Sequence, residues 1–414
     1  MRFVRPSRVE GTLSAPPSKS MMVRAVLAAC LARGISKIKN PSFCDDAQVA
    51  LRAAGKLGAA VRREDAVVCV SGGELRPGRL DCGESGLCIR LLCALAPLAG
   101  GETILSGRGS LRARPLGGIE GPLAALGVDC ETNTGRLPVV LRGALRGGHL
   151  LLDASITSQF LSGLLMALPL CWEDSSIEVS RLHSIPYVRM TLELCEHFGI
   201  SIGANQDYTC FEIPGRQEYR AGCYDVEGDF SGAAFMLVAG AVAGSVVVKR
   251  LDSGSLQADR AILDALVRAG ARVEEGEDFV SIEASTLRSF SFDATECPDL
   301  FPPLVALACS CSGTTEITGV GRLRHKESDR AQALVEEFSK LGASIDLNGD
   351  QMRVSGTILA GGTVDSHDDH RIAMACAIGA LRSRDGVKIR GPECVSKSYP
   401  DFFENLSAIG VELS

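Results

Sequence analysis

The 414-residue sequence predicts a two-domain α/β protein built from six copies of one unit, three per domain, with buried helices wrapped by mixed sheets. Three observations predict it. An apolar residue followed by glycine recurs at Leu57-Gly58, Leu126-Gly127, Phe198-Gly199, Ala269-Gly270, Leu341-Gly342 and Ile409-Gly410, at spacings of 68 to 72 residues. A fixed period marks an internally repeated fold, and this one is long enough for several elements per unit. Most intervals also contain a segment of small apolar residues, hydrophobic nearly all round, as a buried helix must be. The chain length exceeds one ordinary core, which favours two domains.

Residues 2–9 read as a single N-terminal strand without a unit of its own, leading to Ala15-Pro16-Pro17-Ser18. The prolines hold that stretch extended, as a crossover between domains requires. Buried helices are expected at 24–32, 89–96, 160–168, 233–243 and 372–381. Short strands follow at 35–39, 102–105, 176–179 and 245–248, and the fifth unit offers another at 315–318. An amphipathic helix then runs to the marker glycine. In the fifth unit Ala331, Leu334, Phe338 and Leu341 have helical spacing, with Ser328 or Asp329 as cap and Gly342 as stop. Two short strands follow, for example 273–275 and 280–282. The natural boundary at Val226-Glu227-Gly228-Asp229 separates a domain of residues 18–227 from one of residues 1–17 and 228–414.

A net charge of -7 argues against a general nucleic-acid binder, while 43 Lys and Arg leave material for a local cationic pocket. The 16 cysteines lie mostly in apolar runs with no Cys-x-x-Cys pair, so they read as buried small side chains in a reducing compartment. The first 20 residues lack the apolar segment of a secretion signal, and no apolar run reaches membrane-spanning length. A soluble, cytoplasmic monomer is expected, without membrane or nucleic-acid partners.

Counting back from the marker glycines exposes the polar organisation. At 12 or 13 residues before them stand Asp46, Arg114, Tyr187, Arg330 and Lys397. At 37 to 43 before them stand Lys19, Arg90, Gln159, Ser231, Asp299 and Arg371. Equivalent positions of a repeat share a location, so these residues gather at corresponding ends of the domains. If the domains face each other, the active site lies in the interdomain cleft. Helix N-termini aimed there favour anions. Lys19-Ser20 with Arg24, Thr157-Ser158-Gln159, and Ser184 with Tyr187 supply phosphate-type ligands, although Thr157-Ser158 also reads as a simple N-cap. Arg114, Arg330, Arg371 and Lys397 have the chemistry of carboxylate and phosphate clamps.

Two carboxylates stand apart. Asp299 is either an N-cap or a base, and Glu327, inside the charge run 322–330, is either an ion-pair partner or an acid. Asp368-Asp369-His370-Arg371 offers too few spaced ligands for a metal. Neither Gly72-Gly73 nor Gly107-Arg108-Gly109 has the strand–glycine–helix context of a nucleotide fold.

Ten stretches fall in the order of a known family: Pro17-Ser18-Lys19-Ser20 with Arg24, Gly83 to Arg90, Arg114-Pro115, Thr157-Ser158-Gln159-Phe160, Pro186-Tyr187, Glu227-Gly228-Asp229, Pro298-Asp299, Lys326-Glu327-Ser328-Asp329-Arg330, Asp369-His370-Arg371 and Lys397. Over nearly its whole length the chain resembles the EPSP synthases of the enolpyruvyl transferase family. The sister family acting on UDP-N-acetylglucosamine shares the fold but lacks the Lys-Glu-Ser/Thr-Asp-Arg signature. The resemblance implies an inverted α/β barrel-like fold. It also implies transfer of the enolpyruvyl group of phosphoenolpyruvate to the 5-hydroxyl of shikimate 3-phosphate, by addition and elimination, without metal or organic cofactor.

By family position Lys19, Ser20, Arg24, Thr157, Ser158, Gln159, Ser184, Tyr187, Asp299 and Lys326 would meet shikimate 3-phosphate. Lys19, Gly86, Arg114, Gln159, Arg330, Arg371 and Lys397 would meet phosphoenolpyruvate. Asp299, helped by Lys326, would take the hydroxyl proton and Glu327 would protonate the methylene carbon, with Lys19 and His370 supporting. The chain departs from the family's usual Gly-Asn-Ala-Gly-Thr at Gly83-Glu84-Ser85-Gly86-Leu87, which places Glu84 and Leu87 at the border of the phosphoenolpyruvate pocket. Arg322 replaces a commonly uncharged residue. Two other readings are a different enolpyruvyl acceptor, or a catalytically silent anion-binding protein of the same fold.

Overall fold

The computed structural model describes residues 1–64 and 66–414. The chain forms two compact units: a continuous one, Lys19–Val226, and a discontinuous one, Met1–Ser18 with Glu227–Ser414. Both breaks lie one residue from the positions read in the sequence. The reason is local: the Ser18 N–H donates to the Glu227 carbonyl and Pro17 bridges Gly228, so both segments belong to the discontinuous unit.

Among the described residues the strands form six separate sheets, one per repeat. In the continuous unit each sheet holds one parallel pair and an antiparallel extension. Arg79–Asp81 lies parallel to Glu102–Ser106, and His149–Asp153 to Ser175–Ser180. The first repeat borrows its parallel strand from the end of the unit, where Cys223–Asp225 joins Gly34–Lys39. The buried helices are Lys19–Leu31, Gly86–Leu95 and Gln159–Ala167.

The discontinuous unit repeats the plan with buried helices Phe230–Ala243, Phe301–Cys309 and His370–Ala380. Its N-terminal segment corrects the expectation of one strand. Arg2–Val4 pairs antiparallel with Val387–Arg390, whereas Val9–Ser14 pairs parallel with Gly244–Lys249. Pro6, between them, has no N–H to continue a ladder. One short segment thus completes the sheets of two repeats.

All six marker glycines have φ between 82° and 116°, the positive range that ends a helix without a Cβ penalty. The buried helices begin one to five residues before the apolar runs that announced five of them, because first-turn residues need not be apolar. The helix Phe301–Cys309 escaped those runs, since Pro302 and Pro303 interrupt the pattern, yet proline fits a first helical turn. These first turns carry Lys19, Gly86, Gln159, His370 and Arg371.

Candidate functional site

In the discontinuous unit one guanidinium organises the polar cluster. Arg330, the first residue of the amphipathic helix Arg330–Lys340, is 1 % exposed and reaches three carboxylates. Its Nη1 donates to Asp299 Oδ1 at 2.7 Å, Nη2 to Glu327 Oε2 at 2.5 Å, and Nε to Asp369 Oδ2 at 2.8 Å. Asp299 also accepts from Lys326 Nζ at 3.0 Å and from Arg371 Nη2 at 3.0 Å. Three cations therefore face three carboxylates. Burial works against the charge on Arg330, but Asp369, Glu327 and Asp299 hold its pKa above the ordinary range. Burial pulls Lys326 down, with Asp299 opposing. Burial would raise Asp369, yet Arg330 keeps it below the usual carboxylate range.

Asp369 is also the N-cap of His370–Ala380, accepting from the Arg371 N–H at 3.0 Å, and Asp329 caps Arg330–Lys340 through the Gln332 N–H. Asp299 lies on the turn Pro298–Leu300 ahead of Phe301–Cys309, not on a cap. Lys397 donates to the Asp368 carbonyl at 2.7 Å, and His370 is buried. Asp299, Lys326, Glu327, Arg330 and Arg371 thus form one contact network, with Lys397 joined to its edge through the loop that carries Asp369.

The continuous unit supplies a second set, on its buried helices and the loops beside them. Lys19 pairs with Asp46 at 3.2 Å. Arg24 is 1 % exposed and donates to Thr191 Oγ1 at 2.9 Å, the Ser20 carbonyl at 3.0 Å and the Tyr187 carbonyl at 3.3 Å. Burial brings its pKa down to about 10. Arg24 therefore ties Ser20 to Tyr187. Ser184, in the left-handed region at φ 60°, precedes the helix Ile185–His197. Thr157 Oγ1 accepts from the Gln159 N–H at 3.2 Å, whereas Ser158, at the N-cap of the helix Gln159–Ala167, makes no side-chain capping bond. Arg114 lies so close to Gly86 that a Cβ there would stand 2.7 Å from Nη1 and would push the guanidinium aside. The Glu84 carboxylate is engaged by the Ser110 N–H and hydroxyl, and Leu87 is buried.

Three polar residues outside the expected set belong to these clusters. Arg90 bonds the Gly86 carbonyl at 2.9 Å, Gln159 Oε1 at 3.1 Å and the Pro115 carbonyl at 2.6 Å, joining three expected contact segments. Its equivalence to Lys19 and Arg371 in the repeat was the signal that pointed to it. Asp369 was visible only as part of a motif. Asp259 had no signal, being one carboxylate in a short polar loop. It is 1 % exposed and takes the Ser231 hydroxyl.

Burial pushes the Asp259 carboxyl up to about 7, reinforced by Asp299 and opposed by Arg371. The folded chain then keeps a proton on Asp259 that the unfolded chain loses near pH 4. That contribution to stability is present below pH 4 and is lost as pH rises toward 7. Asp259→Asn is expected to stabilise the unit by on the order of 3 kcal/mol at pH 8 and distinctly less at pH 5. Urea denaturation at the two pH values checks this; an equal difference at both would refute it.

Comparison with known proteins adds an independent line. The family model for EPSP synthase (3-phosphoshikimate 1-carboxyvinyltransferase) matches residues 4–406. The 3-phosphoshikimate 1-carboxyvinyltransferase of Clostridium kluyveri is 37 % identical, over 99 % of this chain and 97 % of its own. That of Halobacterium salinarum is 38 % identical, over 99 % and 98 % respectively. The solved EPSP synthase structure from Acinetobacter baumannii superposes with a TM-score of 0.83 at 25 % identity, covering 100 % of this chain and 99 % of the other.

Proposed function

The chain belongs to the EPSP synthase family, and from that premise we propose that it transfers the enolpyruvyl group of phosphoenolpyruvate to the 5-hydroxyl of shikimate 3-phosphate. The products are 5-enolpyruvylshikimate 3-phosphate and phosphate, on the route to chorismate and the aromatic amino acids. One observation carries the assignment of roles: Arg330 bridges Asp299 and Glu327, the two carboxylates that addition and elimination need. One must accept a proton from oxygen while the other gives one to carbon.

Both substrates are polyanions, so cations and helix N-termini must offset their charge before any bond changes. In the continuous unit, Ser20, Arg24, Thr157, Ser158, Ser184 and Tyr187 serve shikimate 3-phosphate. Lys19, Gly86, Arg114 and Gln159 serve phosphoenolpyruvate, with Lys19 and Gln159 shared between the substrates. In the discontinuous unit, Arg330, Arg371 and Lys397 are the phosphoenolpyruvate clamps. An anion binding Arg371 and Arg330 competes with Asp299 for them and frees its carboxylate. Asp299 then takes the 5-hydroxyl proton beside Lys326, and the oxygen attacks the carbon that bears the phosphate ester. Glu327 protonates the methylene carbon. In the second step the phosphate departs and the new methyl group loses a proton, restoring the double bond. His370, buried next to Asp369, supports Glu327 and Arg330 through that residue. All 16 cysteines are free among the described residues, which supports a reducing, cytoplasmic setting. One chain fills every proposed role, so a monomer suffices.

The test is phosphate release from purified protein given both substrates. Release that depends on both is expected. Tight binding of both without release would favour the silent alternative, and release with another acceptor alone would favour a different transferase.

A further inference from the structure

We infer that Glu337 and His367 form a latch that positions the loop carrying Asp369 and Arg371, making both positioning residues for phosphoenolpyruvate binding. The inference rests on the reading of Arg330 and Arg371 as clamps for that substrate.

The Glu337 side chain is 0 % exposed, an unfavourable place for a carboxylate unless its contacts are organised. Its Oε2 accepts the N–H of Asp365, the last residue of the strand Gly362–Asp365, at 2.9 Å. Its Oε1 takes Lys340 Nζ at 2.7 Å and His367 Nε2 at 2.6 Å. Glu337 stands seven residues after Arg330 on one helix, which is two turns and the same face. That helix therefore holds the loop at two points: Arg330 grips Asp369, and Glu337 grips Asp365 and His367.

Between the two points lies strain. His367 and Asp368 have φ of 51° and 53°, two consecutive left-handed residues without glycine. The turn is closed by the His367 N–H on Asp365 Oδ1 at 2.8 Å and the Asp369 N–H on the Ser366 carbonyl at 2.8 Å. Such a conformation persists only when its surroundings determine it, and the buried carboxylate touches both the strand end and the His367 ring. Loss of the latch lets the turn relax, and Asp369 then carries Arg371, whose N–H it caps, out of register.

Glu336, Glu337 and His367 also bring three potential metal ligands within 4.8 Å of one another. However, the Lys340 ammonium lies 2.9 Å from Glu336 and 2.7 Å from Glu337, where a cation would sit. The cluster is complete as an ionic latch.

His367→Asn separates latch from backbone, because Asn adopts the left-handed region as readily as His but is too short to reach Glu337. Glu337→Gln keeps one acceptor for the Asp365 N–H and loses the charge. Both variants are expected to raise KM for phosphoenolpyruvate about tenfold or more, with KM for shikimate 3-phosphate within about twofold and Tm little changed in His367→Asn. Amides 366–371 are expected to exchange faster, and His367→Gln, which restores a donor, to recover part of the affinity. Unchanged KM for phosphoenolpyruvate in both variants would overturn the latch, as would equal loss toward both substrates in step with Tm. If wild-type protein releases no phosphate, the reading of the function fails, and unchanged exchange at 366–371 still decides against the latch by itself.

Discussion

Glu327→Gln is expected to bind both substrates with near wild-type affinity while phosphate release falls by roughly 10² to 10⁴-fold. The substitution conserves the contact to Arg330. Arg330 Nη2 donates to Glu327 Oε2, and a glutamine oxygen can accept the same N–H. What it lacks is an ionisable proton to deliver to the methylene carbon. Calorimetric titration of each substrate beside steady-state phosphate release separates the two effects. A rate within about threefold of wild type would remove Glu327 from the proton-donor role, and a parallel loss of binding would make it a structural partner of Arg330.

The repeat was legible because it rests on backbone chemistry: a glycine at each helix stop, at a position where φ is positive. Much of the polar set was legible for the same reason, since equivalent loops of a repeat place Lys19, Gln159, Arg330 and Arg371 in the first turns of helices. Tertiary burial was not legible. Glu337 in the helix Arg330–Lys340 reads as a solvated partner of Lys340 three residues on, and only packing against the loop after Gly362–Asp365 buries it. Asp259 likewise became distinctive only when Ser231 and the first turn of Phe230–Ala243 closed over it. The N-terminal strand was misread because pattern alone does not show that the chain changes sheets at Pro6. The charge run 322–330 shows both sides: its capped helix was readable, whereas the burial of Arg330 was not.

That burial sets the second large effect. Arg330→Met is expected to destabilise the discontinuous unit by about 3 to 5 kcal/mol at pH 7, because removing one partner leaves buried charge uncompensated. Asp369 feels this most, being fully buried with Arg330 on both of its oxygens. Arg330 holds the folded Asp369 carboxyl below its ordinary pKa, so in wild type this stabilisation is present above pH 4 and is lost as pH falls through the folded value. In the variant Asp369 can instead take a proton, so the deficit should shrink as pH is lowered from 7 toward 5. Arg330→Lys keeps the charge but is expected to recover only part of the loss, since one ammonium cannot span Asp299, Glu327 and Asp369 as the planar guanidinium does. Urea denaturation of the three proteins at both pH values measures each quantity. A deficit under about 1 kcal/mol at pH 7, or one independent of pH, would mean that water rather than Arg330 stabilises these carboxylates.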